Sequence, residues 1–259
     1  MSSSEGGKEK DGVPDLLFNL ASADRLALLS EVAAKVQTQA SLAKRIDASL
    51  AECSRHLARL RDAGLVRKNS DGLYQITTIG SAMLKVLPSL EFLLEHKDRL
   101  LSHDLSDLPR PFVERIGELS GGRRVDHFSQ AWTTMQSVMS GAKEFVWGIS
   151  DQPLVPGISF GQYLTSRDVS MRIISNQKIE LAGFKKANPL LPERFELGRL
   201  HEVRVGLAMN ESIAWVCFAG AGGELDHSTG FAGTDTEFRG WCADLFGYYW
   251  EKATKVRIT

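Results

Sequence analysis

The strongest constraint on the fold comes from a short stretch, residues 38–80, that has to accommodate two helices and a hairpin. Thr38 is placed to cap one short helix, which ends near Ile46. Ser49 and Glu52 follow closely and form a Ser-x-x-Glu capping box, the pattern that starts a helix. Two short helices joined by so few residues are typical of a helix-turn-helix.

The helix that starts at the capping box has a buried face and a defined end. Cys53, Leu57 and Leu60 recur at helical spacing, so we expect them to face the core. Gly64 suits the left-handed conformation that ends many helices. The opposite face carries mainly polar and basic side chains and is left for solvent or a partner.

Two short strands and a tight turn come next. Residues 65–68 and 73–77 have strand-like composition, and the Asn-Ser-Asp-Gly connector at 69–72 has the chemistry of a hairpin turn. A helix-turn-helix followed by such a hairpin predicts a winged helix. We therefore expect an α+β winged helix-turn-helix over residues 13–80.

The segments around this domain are predicted from composition and periodicity. Residues 1–12 are polar and resemble a disordered leader, with no apolar core of a signal peptide. Ser22 is placed to cap an early helix. The apolar positions of that helix are Leu28, Leu29, Val32 and Val36. A leucine-rich helix from Ser81 to Leu101 should be kinked or divided at Pro88. We assign residues 81–104 to a linker or dimerisation helix.

The local charge of the helix-turn-helix differs from that of the whole chain, which has a formal net charge of −1. The segment 44–68 has a local excess of four positive charges. Its basic residues are Lys44, Arg45, Arg55, Arg59, Arg61, Arg67 and Lys68, and its acidic residues are Asp47, Glu52 and Asp62. Since lysines and arginines that meet phosphates supply much of the affinity for DNA, this local excess matters more than the sum.

These observations predict that the chain binds double-stranded DNA, with the second helix of the motif in the major groove. The expected contact residues on that helix are Ser49, Leu50, Glu52, Ser54, Arg55 and Arg59. Those expected on the hairpin are Arg67, Lys68 and Asn69. Two other interpretations stay open: a basic face that is merely solvated, and a winged helix that docks onto protein.

Several motifs in residues 22–82 resemble those of the ArsR-like winged-helix repressors. They are Leu-Ala-Lys-Arg at 42–45, Ser-Arg-His-Leu at 54–57, Ala-Gly-Leu-Val at 63–66 and the Thr-x-x-Gly at 77–80. The resemblance implies a DNA-binding regulator. Proteins of this shape usually bind near-palindromic sites as homodimers, and the leucine-rich helix is a candidate dimer seam, unless it packs on its own second domain. Metal sensors of this family use sets of cysteines and histidines, but Cys53, His96 and His103 form no complete set, so no metal is expected.

The remainder, residues 105–259, alternates helical and strand patterns and predicts an α/β domain. We expect an amphipathic helix over 125–140 that faces the core through Phe128, Trp132, Met135 and Met139. Strands are expected at 143–149 and 170–174, and an antiparallel pair at 202–207 and 212–218. An aromatic-rich helix at 235–252 closes the pattern.

A second resemblance covers nearly the whole chain. The motifs are His-Asp-Leu-Ser-Asp-Leu-Pro at 103–109, Trp-Gly-Ile-Ser-Asp-Gln-Pro at 147–153 and Asp-Leu-Phe-Gly-Tyr-Tyr-Trp at 244–250. They look like those of the archaeal methanogenesis and filament regulator family. This resemblance implies an archaeal transcription regulator whose effector domain is related to the phospholipase D-like sensor domain of archaeal sugar-responsive repressors.

Phospholipase-type chemistry uses a His-x-Lys pair, which this domain lacks. The histidines at 103, 127, 201 and 227 are followed two positions later by Leu, Ser, Val and Thr. Other catalytic motifs, such as Gly-x-Ser-x-Gly or a Walker loop, are also missing from the sequence. We expect a domain that binds without catalysing and needs no cofactor. The alternatives are a degenerate phosphodiesterase or nuclease with a DNA-binding head, and an architectural DNA binder without an effector.

A small effector would bind where the strands of an α/β sheet end. The candidate residues are Trp147, Asp151, Gln152, Arg172, Asn176 and Arg204. Trp147 is also interpretable as ordinary core, whereas Arg172 and Arg204 would suit an anionic ligand if they converged. No run of about 18–20 apolar residues is present, so no membrane span is expected and a cytoplasmic location is the simplest interpretation.

Overall fold

The computed structural model of the chain describes residues 12–151, 168–176 and 192–256. It divides into two compact units, Met1–Leu87 and Pro88–Thr259. The expected leader, residues 1–12, lies outside the described residues apart from Gly12, which occupies the N-cap of the first helix.

The first unit consists of short helices and one hairpin, in the expected order with one addition. Its elements are α1 (Val13–Leu20), α2 (Ala23–Ala34), α3 (Gln39–Arg45), α4 (Leu50–Asp62), β1 (Val66–Lys68), β2 (Tyr74–Ile76) and the start of α5 (Thr78–Glu95). Helix α1 was not predicted, because Gly12 at its N-cap has no side chain that could signal a helix start. Ser22 does occupy the N-cap of α2, but its side chain makes no capping hydrogen bond.

The helix-turn-helix confirms the predicted caps. Thr38 Oγ1 accepts a hydrogen bond from the Ser41 amide at 3.2 Å and starts α3. Ser49 and Glu52 form the reciprocal box that starts α4. The helix ends where Gly64 adopts a φ of 71°, in the left-handed region that glycine enters without steric cost.

The core of the first unit lies between these helices. Cys53, Leu57 and Leu60 are fully buried, as their spacing predicted, together with Leu28 and Leu29 of α2. The prediction for Val36 was wrong. Helix α2 ends at Ala34, so Val36 leaves the helical stripe and is 42% exposed.

Helix α5 begins earlier than expected and continues through Pro88. The Gly80 amide donates to Thr77 Oγ1 at 3.0 Å, which fixes the first turn three residues before Ser81. The helix is not divided at the proline, and a separate short helix, α6 (Lys97–Leu100), follows it. The expected linker, residues 81–104, is therefore shared between the two units, since Phe92 is buried in the core of the second.

The second unit is a mixed sheet with helices on both faces. Among its described residues the further helices are α7 (Arg110–Glu114), α8 (Phe128–Gly141) and α9 (Thr236–Lys252), with a 3-10 turn at Ile116–Leu119. Its strands are β3 (His103–Asp104), β4 (Arg123–Val125), β5 (Phe145–Ser150), β6 (Ser170–Ser175), β7 (Phe195–Arg199), β8 (Val205–Met209), β9 (Ala214–Gly220), β10 (Gly230–Gly233) and β11 (Thr254–Val256).

Within the described ranges the sheet order is β11-β7-β6-β5-β8-β9-β10-β4, with β3 paired to β9. Strands β5, β6 and β7 are parallel, and their neighbours are antiparallel. The two predicted strands near 145 and 172 and the antiparallel pair formed by β8 and β9 are confirmed. Strands β4, β7 and β10 were not predicted.

Successive residues of β9 face opposite sides of the sheet, as the twofold repeat of a strand requires. Val216 and Phe218 pack with α9, whereas Trp215 and Cys217 pack with α8. On α8 the expected face is only partly correct. Met139 is buried, but Phe128 is 62% exposed, and the inward positions include Ala131 and Val138.

No helix among the described residues is long and apolar enough to cross a membrane.

Candidate functional site

The first turn of helix α4 is fixed on both sides. The Gln39 side chain on α3 donates to the Leu50 carbonyl oxygen at 3.0 Å, and the Cys53 thiol contacts the Gln39 carbonyl oxygen at 3.7 Å. The capping box of Ser49 and Glu52 holds the same turn at its N-terminal end. The exposed face of α4 is therefore presented at a defined angle by α3, and its order does not depend on a ligand.

Ser49 and Glu52 were predicted to contact DNA, but their side chains are committed to the cap. The Glu52 carboxylate accepts from the Ser49 amide at 3.1 Å and from the Ser49 hydroxyl at 2.7 Å. These hydrogen bonds lower the pKa of Glu52, the side-chain bond being the larger cause. The Glu52 carboxylate thus uses one oxygen, Oε2, to hold the helix start, and the Ser49 and Glu52 side chains position the first turn of α4.

The exposed face of α4 is formed by Leu50, Ala51, Ser54, Arg55 and Arg59. Successive helical residues turn by about 100°, so Leu50 and Arg59 lie on opposite flanks, with Ala51 and Ser54 between them. Arg55 lies toward the Arg59 flank. Within the described residues neither arginine forms an ion pair, so both guanidinium groups are available to an anionic partner.

The neighbouring basic and imidazole groups have structural partners. His56 Nε2 lies 3.5 Å from the Asp24 carboxylate and ties α4 to α2, which favours the structural interpretation of this histidine. Arg25 is buried and donates to the carbonyl oxygens of Phe18 and Asn19. Burial lowers the pKa of Arg25, and the charge of Arg59 lowers it further.

The hairpin presents two cations and one structural amide. The exposed Arg67 guanidinium lies against the Gln75 side-chain amide, and Lys68 Nζ is 5.6 Å from the centroid of the Tyr74 ring. Asn69, which is predicted to touch DNA, also holds the turn. Its Oδ1 accepts from the amides of Asp71, at 3.1 Å, and Leu73, at 2.8 Å.

The predicted effector residues of the second unit do not form one cluster. Trp147 and Arg172 are register partners in the middle of β5 and β6. Trp147 stacks on Phe246 of α9 with 4.9 Å between ring centroids, so the core interpretation of this residue holds. Arg172 donates to Glu196 at 2.5 Å. Gln152 lies outside the described residues.

The other three described candidates lie at the edge of the sheet where the parallel strands end. They are Asp151, Asn176 and Arg204. Asp151 and Asn176 directly follow the register pair Ser150 and Ser175, and Arg204 directly precedes β8 at the same end of the sheet. Arg204 pairs with Glu202 at 2.7 Å and with Asp107 at 3.3 Å. The two arginines therefore do not converge, and each is neutralised by carboxylates.

Two histidine–aspartate pairs, which the sequence did not reveal, surround this edge. His227 Nε2 is 2.6 Å from Asp151 Oδ1, and its ring stacks on Trp215 at 6.4 Å. His103 Nε2 lies 3.3 Å from Asp226 Oδ2 and 3.1 Å from the Thr229 hydroxyl. We name the residues of these pairs, with Ser228 and Thr229, the strand-end cluster. No sequence signal marks it, because the paired residues are 76 and about 120 positions apart.

Hydrogen bonds and charge keep Asp226 ionised. Burial raises its pKa, but hydrogen bonds from Ser228 and Thr229 and the neighbouring His103 lower it to about 2. Among the described residues, no group of three or more His, Cys, Asp or Glu side chains is arranged to hold a metal ion.

A family model described as the HVO_A0261 N-terminal domain matches residues 14–99, about one third of the chain. That range contains the whole helix-turn-helix, the hairpin and all of α5. No curated protein matches the sequence.

Several solved structures are similar to parts of the chain. TrmBL2, described as an archaeal chromatin protein, is 17% identical with a TM-score of 0.40, over 89% of this chain and 92% of that one. NolR from Sinorhizobium fredii is 24% identical with a TM-score of 0.29, over 36% of this chain and 94% of that one. NucT from Helicobacter pylori is 14% identical with a TM-score of 0.38, over 50% of this chain and 92% of that one. At these TM-scores the likenesses do not establish a common overall fold.

Proposed function

We propose that the chain is a sequence-specific transcriptional regulator that binds double-stranded DNA through α4 and the hairpin β1–β2. The observation that carries this proposal is the exposed face of α4, where Arg55 and Arg59 have no ion-pair partner among the described residues. A helix of this diameter fits the major groove, and cations on its outer face meet phosphates and the acceptor atoms of guanine.

The surroundings of α4 support the same interpretation. Arg67 and Lys68 extend from the hairpin with exposed side chains, where a wing would meet the sugar-phosphate backbone. Two acidic residues of the segment have partners within it. Glu52 Oε2 is held in the cap, and Asp62 lies 3.6 Å from Arg61. The side chains of Arg55, Arg59, Arg67 and Lys68 are exposed.

The test is the double substitution Arg55→Ala with Arg59→Ala. Duplexes that the wild-type chain selects from a random pool are titrated by fluorescence anisotropy at several salt concentrations. Each arginine that contacts a base or phosphate contributes about 1–3 kcal/mol, so we expect affinity to fall by roughly 100-fold or more, with a shallower dependence on salt.

The matched control is Arg110→Ala, an arginine of the second unit whose side chain is 88% exposed. It should leave affinity and salt dependence unchanged. Equal affinity of the double variant and the control would contradict the proposal.

We also propose a homodimer. Helix α5 exposes Ile79, Val86, Leu90 and Leu94, which recur at helical spacing on one face. Two recognition helices about one DNA turn apart would bind a near-palindromic site. Sedimentation velocity of the full chain should show a dimer that Val86→Glu dissociates, whereas Glu91→Ala, on another face of the same helix, should not.

For the second unit we propose binding of a small effector without catalysis, at the carboxyl ends of β5 and β6. Asp151 and Asn176 are the residues from the sequence-based set that support this location. A metabolite that binds the folded chain would raise its melting temperature. That rise should be lost in Asn176→Ala. Cleavage of nucleic acid by the wild-type chain with a divalent metal, lost in His227→Gln, would instead favour the phosphodiesterase alternative.

A further inference from the structure

The first turn of α4 carries an exposed leucine, which the sequence places among the expected DNA contacts without specifying the chemical group that it touches. Leu50 is the first residue of the helix and is 57% exposed. Its backbone is held by the capping box and by the hydrogen bond from Gln39, so the side chain cannot be buried by a local rearrangement of the turn. Exposed leucines are common on protein surfaces, and exposure alone identifies no ligand.

The neighbours of Leu50 specify what can approach it. Ala51 and Ser54, which are both small and exposed, separate Leu50 from Arg55 on the surface of α4. The face therefore has an apolar flank, a shallow middle and a basic flank. Small side chains in the middle allow close approach of a surface that is polar and anionic on one side and offers an apolar group on the other.

The floor of the major groove offers one apolar group, the C5-methyl of thymine. Cytosine would be recognised instead by a carboxylate that accepts from its amino group, and the carboxylate available at this turn is that of Glu52. Glu52 is occupied by the Ser49 amide and hydroxyl. Both bonds fall on Oε2 and turn the carboxylate back toward the N-cap, and Leu50 is the apolar side chain that the same turn exposes.

We infer that Leu50, with Ala51 beside it, recognises the C5-methyl group of thymine in each half-site, while Arg55 supplies the polar contact on the opposite flank. The inference rests on the proposed DNA-binding function and specifies its sequence preference. The preferred site then contains thymine at the positions that the first turn of α4 faces.

The experiment uses the full chain and a duplex selected from a random pool. Each thymine is replaced singly by deoxyuridine, which removes only the methyl group, and each cytosine by 5-methylcytosine, which adds one. We expect deoxyuridine at one or two thymines per half-site to weaken binding by the wild-type chain about fourfold, as for the loss of one buried methyl group.

Two variants separate the apolar contact from the rest of the interface. Leu50→Ala should bind the thymine and deoxyuridine duplexes equally, and Leu50→Met, which keeps a long apolar side chain, should retain most of the difference. Arg55→Ala should bind all duplexes more weakly and keep the methyl effect. Because Leu50 is exposed and alanine favours helices, Leu50→Ala is expected to fold normally, as circular dichroism will show.

The outcomes distinguish the two proposals. If no sequence is enriched and no duplex binds, the DNA-binding function fails and the inference fails with it. If a sequence is enriched but deoxyuridine has no effect, or has the same effect on Leu50→Ala as on the wild type, the function stands and the thymine inference is overturned.

Discussion

The exposed face of α4 and the strand-end cluster are both rich in polar and charged groups, but they use them in opposite ways. On α4, Arg55 and Arg59 have no ion-pair partner among the described residues. In the cluster, His103, Asp226 and His227 all have partners within 3.3 Å. The contrast teaches that charged groups alone do not mark a binding surface. Whether the fold supplies their partners decides how much their removal changes stability.

The difference also separates two kinds of experimental effect. Removing an unpaired surface cation should change binding and leave the free energy of unfolding nearly constant. Removing a member of a satisfied cluster should change stability, because its partner is left desolvated without a hydrogen bond. All five tryptophans belong to the second unit, so their fluorescence reports the unfolding of that unit alone.

The largest stability effect is expected for Asp226→Ala. It removes the carboxylate that faces the buried His103 side chain and accepts from the Thr229 hydroxyl, at a cost of about 2 kcal/mol. Urea unfolding followed by tryptophan fluorescence measures it. Asp98→Ala, an exposed aspartate of the same unit, is the control and should shift the midpoint little. An equal shift in both variants would mean that the cluster contributes nothing specific.

The contribution of Asp226 to stability should also depend on pH. The pKa of Asp226 in the folded chain is about 2, below its ordinary value of 3.8. Its stabilising contribution is therefore complete above about pH 4 and is lost as the pH falls toward 2. The unfolding free energy of Asp226→Asn should fall less steeply across that window than that of the wild type. Parallel curves for the two proteins would contradict the assignment.

Helix caps provide a matched pair across the two units. Asp235 Oδ1 accepts from the Phe238 amide at 2.9 Å and caps α9, as Ser49 caps α4. Each cap contributes about 1 kcal/mol. Asp235→Ala should lower the tryptophan-detected midpoint and keep DNA affinity. Ser49→Ala should do the reverse, weakening DNA binding several-fold because the first turn of α4 frays. Unchanged DNA affinity of Ser49→Ala would contradict the idea that this cap orders the first turn of α4 for binding.

The smallest effect is expected where an ion pair is exposed to water. Arg172 and Glu196 pair on neighbouring strands, and both side chains are substantially exposed. Such pairs contribute about 0–1 kcal/mol. Arg172→Lys should therefore lower the unfolding free energy by less than about 1 kcal/mol, with no change in DNA affinity. A clear loss of effector binding in this variant would show that Arg172 takes part in the effector site, although it is paired with Glu196 away from the strand ends.

Local patterns predicted the first unit well because each signal acts within a few residues. The caps at Thr38 and Ser49, the buried stripe of α4 and the turn at Gly64 are decided by neighbours in the chain. The same patterns could not show that Ser49, Glu52 and Asn69 use their side chains to hold the backbone. A capping residue and a DNA-contacting residue have the same polar composition.

The second unit was predicted less well because its organisation depends on distant pairing. Strand β10 is only four residues long and pairs with β4 and β9, neither of which can be inferred from its own composition. His103 and Asp226 are separated by most of the domain. Arg172 and Arg204 looked similar in sequence, each near apolar strands, and only the sheet register separates their positions.

Asp226 and His227 are consecutive, yet they bond to different parts of the domain, His103 after α6 and Asp151 after β5. Only one peptide group separates their Cα atoms, so a displacement of this backbone segment would change the geometry of both pairs. The two pairs should therefore break as one cooperative event. In a double-mutant cycle of His103→Gln and Asp151→Asn, the combined loss of stability would be smaller than the sum of the single losses. The difference would measure the coupling between two pairs whose members are far apart in the sequence.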